Sequence, residues 1–266
     1  MKVVILAGGL GTRLREETEF RPKPMVEIGS RPILWHIMKL YAFYGHSEYV
    51  ICLGYKGDVI RDYFLNYELR NRDFTVTLGS RETEVHDGHD EVGWRVTLAE
   101  TGEKTATAGR IRRVARYLGG ETFMATYGDG VADIDISRLL EFHRRRGKLA
   151  TVTAVRPSSR YGELAIEDGM VKVFQEKPQV GSAWINGGFF VFETGVLDLI
   201  RGDSDSLERD LLEELARAQQ LAVYTHDGFW QCMDTFRETQ LLNQLWGEGK
   251  APWKVWERSG RNQSRL

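Results

Sequence analysis

The stretch from Val3 to Val26, VVILAGGLGTRLREETEFRPKPMV, limits what this chain can fold into more than any other. Val3, Val4, Ile5 and Leu6 make an apolar, β-branched run, which predicts a buried parallel strand. Ala7-Gly8-Gly9-Leu10-Gly11-Thr12-Arg13 follows directly, with three glycines in four positions closing on a hydroxyl and a guanidinium. Glycine lets the backbone take positive φ and come close to a ligand, so successive N–H groups can line an anion. The pattern predicts phosphate-binding chemistry. It is not a P-loop, because Gly11-Thr12-Arg13 stands where Gly-Lys-Ser/Thr would close the loop. Nor is it a dinucleotide fingerprint, because Leu14 occupies the place of the third glycine. A second cation lies in Arg21-Pro22-Lys23-Pro24-Met25, where two prolines stiffen the backbone on either side of Lys23.

Bulk properties narrow the classes further. A net charge of −2 and 42% hydrophobic residues over 266 positions allow a sizeable core and give no bulk attraction to nucleic acid or anionic membrane. Any anion site must be local. Two distant cysteines, Cys52 and Cys232, predict a reduced, cytoplasmic protein. No run approaches a membrane span, and the first apolar run ends too soon for a signal peptide.

Strand and helix signals then alternate. Tyr49–Leu53, Phe123–Tyr127, Ala150–Val155, Trp184–Phe192 and Ala222–His226 read as strands. Ile33–Tyr44, Asp58–Tyr67, Ser137–Arg146, Gly195–Arg201, Leu207–Gln219 and Phe236–Gly247 read as helices, with Gly45 a stop. Phe74–Leu78 and Trp94–Leu98 alternate with period two around an acidic, His-containing stretch, 82–91, expected to be a solvated loop or a subunit-contact arm rather than a metal site. A hairpin is expected over Gly162–Val173, and Trp246, Trp253 and Trp256 are expected to form an apolar docking surface. The sum is an α/β chain: one Rossmann-like three-layer domain over 1–257 with a mixed, mostly parallel central sheet and a disordered tail at 258–266.

Gly8-Gly9-Leu10-Gly11-Thr12-Arg13-Leu14 followed by Pro22-Lys23-Pro24-Met25 resembles the signature of the sugar-1-phosphate nucleotidylyltransferases. With Pro32-Ile33-Leu34-Trp35-His36-Ile37-Met38 and Gly54-Tyr55-Lys56-Gly57 added, the chain is similar to the glucose-1-phosphate cytidylyltransferases over nearly its whole length. The resemblance implies the nucleotide-diphospho-sugar transferase fold and Mg²⁺-dependent condensation of CTP with α-D-glucose 1-phosphate to CDP-glucose and pyrophosphate, for surface polysaccharide synthesis. It also implies a nucleotide-binding part over about 1–135, an acceptor-binding part over about 150–235, and a homo-oligomer, trimer or hexamer.

By the same resemblance, Leu6, Gly8, Gly9 and Gly11 hold the nucleotide, with Thr12 and Arg13 on its phosphates and Lys23 near the α-phosphate. Arg13, Lys23 and Asp129 are the expected catalytic groups. The loop Thr107-Ala108-Gly109-Arg110 matches the base-reading Gly-Gly-Arg loop, with Ala108 in place of the first glycine, and Gly109 and Arg110 are expected nucleotide contacts. Magnesium prefers oxygen ligands, one or two of them carboxylates. Asp129 in Tyr127-Gly128-Asp129-Gly130 and Asp234 in Cys232-Met233-Asp234-Thr235 stand at strand ends and fit, although Asp234 could also cap the helix that follows. The resemblance assigns both to the metal. On the acceptor side it points to Tyr161, Gly162, Glu176, Lys177, Asn186 and Gly187. Glu163, and Ser206–Leu211 in place of a Trp-Glu-Gln-Glu-Pro-Leu-like segment, depart from the pattern and leave a different phosphorylated acceptor as the alternative. A different nucleoside triphosphate, or a silent nucleotide-binding subunit, are the remaining alternatives.

Overall fold

The structure, a computed structural model, describes residues 1–11, 14–80, 82–86, 88–157, 163–175 and 183–257, with backbone alone for 15, 16, 163–166, 174 and 175. Seven strands form the central sheet. In spatial order they are Leu221–His226, Ala150–Val155, Ile185–Phe192, Phe123–Tyr127, Lys2–Leu6, Glu48–Leu53 and Arg95–Glu100. All run parallel except Ile185–Phe192, which is antiparallel to both neighbours. The mixed, mostly parallel sheet expected from the sequence is therefore present, with the first strand near its centre.

Alternation along these strands fills two cores. Val3, Ile5, Ile51, Met124 and Phe189 face one layer, which receives Leu34, Ile37, Met38 and Tyr41 of the helix Ile33–Phe43 and Leu242 of Phe236–Gly247. Val4, Leu6, Val50, Ala125 and Phe190 face the other, covered by Ala108, Ile111 and Val114 and by Leu207, Leu211 and Leu215. Residues buried on both faces of parallel strands read as continuous apolar runs, which is why those strands were legible.

Several boundaries shift. Gly45, at φ 84°, closes the Ile33–Phe43 helix as expected, its N–H bonding to Ala42 O at 2.9 Å. The helix expected over Asp58–Tyr67 is broken into Gly57–Leu65 and Tyr67–Asn71, and Gly195–Arg201 is a 3₁₀ turn, Thr194–Leu199. Leu207–Leu212 is a π-helical turn that continues as α-helix only at Glu213–Arg217. Phe74–Thr77 leaves the main sheet and pairs with Glu82–Val85 as a separate, exposed ribbon. Among the described residues no cluster there could hold a metal ion. The expected hairpin is present as Glu163–Glu167 and Met170–Gln175, with Asp168 and Gly169 both at positive φ, as a tight two-residue turn requires.

The expected docking surface of tryptophans is corrected: Trp253 is wholly buried, stacked on Phe229 and Trp246, with its indole N–H directed to Nδ1 of His36 at 3.3 Å. His36 Nε2 meets Ile28 O at 3.0 Å, so the neutral ring satisfies both nitrogens. Burial pushes the His36 pKa down to about 4. The unfolded chain then binds a proton between pH 6.5 and 4 that the folded chain refuses, so this contribution is complete above pH 6.5 and is lost on acidification. Urea unfolding at pH 7.5 and pH 5 should show a loss of about 2 kcal/mol from this group, and His36→Gln should remove that share of the pH dependence.

Candidate functional site

The first strand ends where three backbones converge. Ala7 N–H bonds to Cys52 O and Gly128 N–H to Leu6 O, both at 3.1 Å, and Tyr55 N–H bonds to Gly8 O at 3.2 Å. A Cβ on Gly128 would meet Pro24 Cγ at 2.9 Å and Leu6 O at 3.0 Å, so only glycine allows this approach. Gly11 takes φ 62°, and its carbonyl accepts from Leu14 N–H and the Thr18 hydroxyl. Among the described residues no backbone carbonyl accepts from the N–H groups of Gly8, Gly9 or Leu10. Those donors remain available to an anion.

The Lys23–Met25 turn, preceded by Pro22 at φ −67° and ψ 149°, places Lys23 opposite the loop. Its ammonium lies between two carboxylates, 2.6 Å from Asp129 Oδ2 and also bonded to Asp234 Oδ1. The two acids come from distant chain segments, joined by the ribbon in which Gly130 pairs with Cys232. Thr235, not Asp234, caps the following helix, with Glu238 completing the capping box. The Asp234 carboxylate is thus held at the site rather than spent on the helix. Burial works against the Lys23 charge, but Asp129 and Asp234 outweigh it and raise the pKa above the ordinary lysine value. Two carboxylate oxygens already converge on one cation, and an all-oxygen, partly open set of this kind fits Mg²⁺, with phosphates and water completing it.

A cavity of about 350 Å³ runs beneath the loop, bordered by Leu6, Gly8, Gly9, Gly11, Lys23, Asp129 and Asp234. A second, of about 320 Å³, is bordered by Asn186, Gly187, Trp230 and Cys232. Tyr127, Asp129 and Asp234 line both. Gly187 is buried, its carbonyl accepting from the Trp230 indole at 2.7 Å. Thr12, Arg13, Tyr161, Gly162, Glu176 and Lys177 lie outside the described residues.

Two residues of the 107–110 loop are held by the protein itself. Gly109 does not border the cavity: its Cα faces the other way, and a Cβ there would meet Asp203 O at 2.7 Å. Arg110 borders the cavity, yet its guanidinium is buried and committed to the protein. It donates to Leu53 O at 3.0 Å, Thr101 Oγ1 at 2.7 Å, Gly8 O at 2.9 Å and Glu103 O at 3.2 Å. Arg110 therefore shapes the glycine loop from behind. Ala108 is wholly buried in the second core, so its methyl does not face the cavity. Sequence reading missed Tyr127, Thr105 and Trp230 as lining residues. The signal for Tyr127 was available in its place at a strand's carboxyl end, immediately before Gly128-Asp129-Gly130.

Residues 2–242 match the family model described as nucleotidyl transferase. The chain is 53% identical over 258 residues to the glucose-1-phosphate cytidylyltransferase of Salmonella typhi, covering 97% of this chain and all of that protein. It is 45% identical over 257 residues to the probable glucose-1-phosphate cytidylyltransferase of Bacillus subtilis (strain 168), covering 96% of this chain and all of that one. The fold is similar to the crystal structure of HddC from Yersinia pseudotuberculosis, with a TM-score of 0.68 at 23% identity over 92% of this chain and 99% of that chain.

The Arg110 bonds set a stability test. A lysine carries its charge at one point and cannot span four acceptors in a planar fork. Arg110→Lys should cost about 2–4 kcal/mol and lower Tm by about 5–15 °C, whereas Arg113→Lys, at the exposed Asp203 pair, should leave Tm nearly unchanged. Thermal melts of both variants decide it.

Proposed function

The chain belongs to the nucleotidyl transferase family, and from that premise we propose that it condenses CTP with α-D-glucose 1-phosphate, giving CDP-glucose and pyrophosphate. The observation that carries this reading is the shared wall: Asp129 and Asp234 border both cavities, so two ligands would meet at one carboxylate pair. In this reading the nucleotide lies under the glycine loop, its phosphates toward the free N–H groups and Thr12 and Arg13. The sugar phosphate lies beside Asn186 and Gly187, with Tyr161, Gly162, Glu176 and Lys177 as its further contacts. The proposed division of the chain remains a nucleotide part, about 1–135, and an acceptor part, about 150–235.

An oxygen of the acceptor phosphate attacks the α-phosphorus of CTP in line, and pyrophosphate leaves. The nucleophile is already anionic, so no general base is needed and the work is positioning and charge stabilisation. Lys23 and Arg13 offset the charge of two anions that repel. Lys23 stands within the nucleotide cavity and can turn from the carboxylates toward phosphate as ligands enter. Asp129 and Asp234 would hold Mg²⁺, which when bound neutralises charge on the phosphates during such transfers.

The proposal includes a homo-oligomer, trimer or hexamer, supported by the exposed apolar side chains Phe74, Val76 and Leu78 on the projecting ribbon. It includes a cytoplasmic location, supported by the unbridged Cys52 and Cys232 and by the absence, among the described residues, of a helix able to cross a membrane.

Pyrophosphate release with Mg²⁺ and α-glucose 1-phosphate, measured with CTP, UTP, dTTP, ATP and GTP in turn, tests the reading. Release is expected with CTP alone. Release with another triphosphate instead would overturn the base assignment, and silence with all five would overturn the acceptor. Asp129→Asn should lower turnover by about 10²–10³-fold or more; a change in nucleotide affinity alone would mark a binding module.

A further inference from the structure

Between the two cavities stands one acidic side chain that the reaction does not call on. Glu208 lies in the π-helical turn Leu207–Leu212, a local widening of the helix often found at functional sites. Its two carboxylate oxygens are divided between the two halves of the site. Oε1 accepts from the Tyr127 hydroxyl at 2.5 Å. Oε2 accepts from the Thr107 hydroxyl at 3.0 Å and the Ser206 hydroxyl at 2.7 Å.

Each partner continues into a cavity wall. Thr107 borders the nucleotide cavity, and its Oγ1 accepts from Leu207 N–H at 2.7 Å. Tyr127 borders both cavities, and its Oη accepts from Asn186 Nδ2 at 3.2 Å. Asn186 in turn takes Gly188 N–H on its Oδ1 at 2.8 Å. The Tyr127 ring is fixed edge-on against Phe190, 5.7 Å between centroids, and lies so close over Gly188 that a Cβ there would meet its ring at 2.6 Å. The chain of contacts runs unbroken from one wall to the other.

The charge state suits the task. Burial opposes ionisation of Glu208, but the hydroxyls of Tyr127, Ser206 and Thr107 outweigh it and hold its pKa below the ordinary value. Burial and the Glu208 carboxylate together push the Tyr127 phenol up, so it stays a donor. A charge-assisted bond of this kind is shorter and stronger than a neutral one.

We infer that Glu208 is a positioning residue that clasps the two substrate walls together, fixing Thr107 on the nucleotide side and, through Tyr127, Asn186 on the acceptor side. Glu208 itself borders neither of the two cavities. It sets the relative placement of two walls whose ligands must align for in-line attack, where small misplacements are costly. This consequence for catalysis rests on the two-substrate reading above; the clasp itself does not.

Two measurements separate them. In the ligand-free protein, amide hydrogen exchange of Glu208→Ala should quicken severalfold at both Gly188 and Leu207, while Tyr127→Phe should quicken Gly188 alone. Unchanged exchange at Gly188 in Glu208→Ala overturns the clasp whatever reaction the protein performs. In steady-state pyrophosphate release, Glu208→Ala should raise KM for the sugar phosphate about tenfold with a smaller change in kcat, and Glu208→Gln, which retains an acceptor for Tyr127, should recover part of it. The double variant Tyr127→Phe/Glu208→Ala should be little worse for the sugar phosphate than the worse single variant, because both act through one contact. Additive effects, or an unchanged KM beside a lowered Tm, would make Glu208 merely structural. A wild type silent with every pair of substrates counts against the reaction, and the exchange result then decides the clasp alone.

Discussion

The structure depends on how the carboxyl end of the first strand is held. Lys2–Leu6 lies between two parallel neighbours, and its last groups are bonded sideways to both: Leu6 O to Gly128 and Ala7 N–H to Cys52. From there the chain has no further sheet to join, and Gly8 turns its carbonyl back toward Arg110 and Tyr55. With the carbonyl so occupied, the amides of the loop are left on the open side. The direction in which the loop presents its amides is thus a consequence of where its carbonyls are consumed, not of glycine content alone.

The second dependence is electrostatic. Asp129 and Asp234 approach one point from segments over a hundred residues apart, and two carboxylates that close repel unless a cation stands between them. Lys23 supplies that cation, and its rigid, proline-flanked turn keeps it within reach of both acids. In the proposed reaction the two acids would be shared between this ammonium and a metal ion. A bidentate arginine in that place would bind the pair more firmly and release it less readily.

What was legible in the sequence is what local pattern encodes. The strand before the glycine loop, the buried strands Phe123–Tyr127 and Ala150–Val155, the helix stop at Gly45 and the turn at Asp168-Gly169 each follow from a few adjacent residues. The strand-end places of Asp129 and Asp234 were legible too, and the structure brings both to Lys23. What was not legible depends on partners far along the chain. Arg110 is bonded to Leu53 O and Gly8 O, and nothing near it in sequence reveals those acceptors. Trp253 looked like a surface residue because His36 and Phe229, which cover it, come from other segments. Tyr127, Glu208 and Thr107 lie in separate segments, and only folding makes them neighbours.

The 107–110 loop shows how local geometry settles a question that residue matching leaves open. Thr107–Val114 is a helix from its first residue, so successive side chains turn by about 100°. Ala108 and Ile111 share one face and enter the core, Gly109 turns to the Asp203 backbone, and Arg110 turns to the glycine loop. A methyl at 108 therefore meets apolar neighbours, not a ligand. In a helix alanine is favoured over glycine by about 0.5–1 kcal/mol, so Ala108 steadies the segment that carries Arg110. A methyl at 109 would instead collide with Asp203 and lift the helix off the Asp203–Asp205 carbonyls that receive its first N–H groups. The glycine that this loop cannot lose is the one that faces away from the cavity.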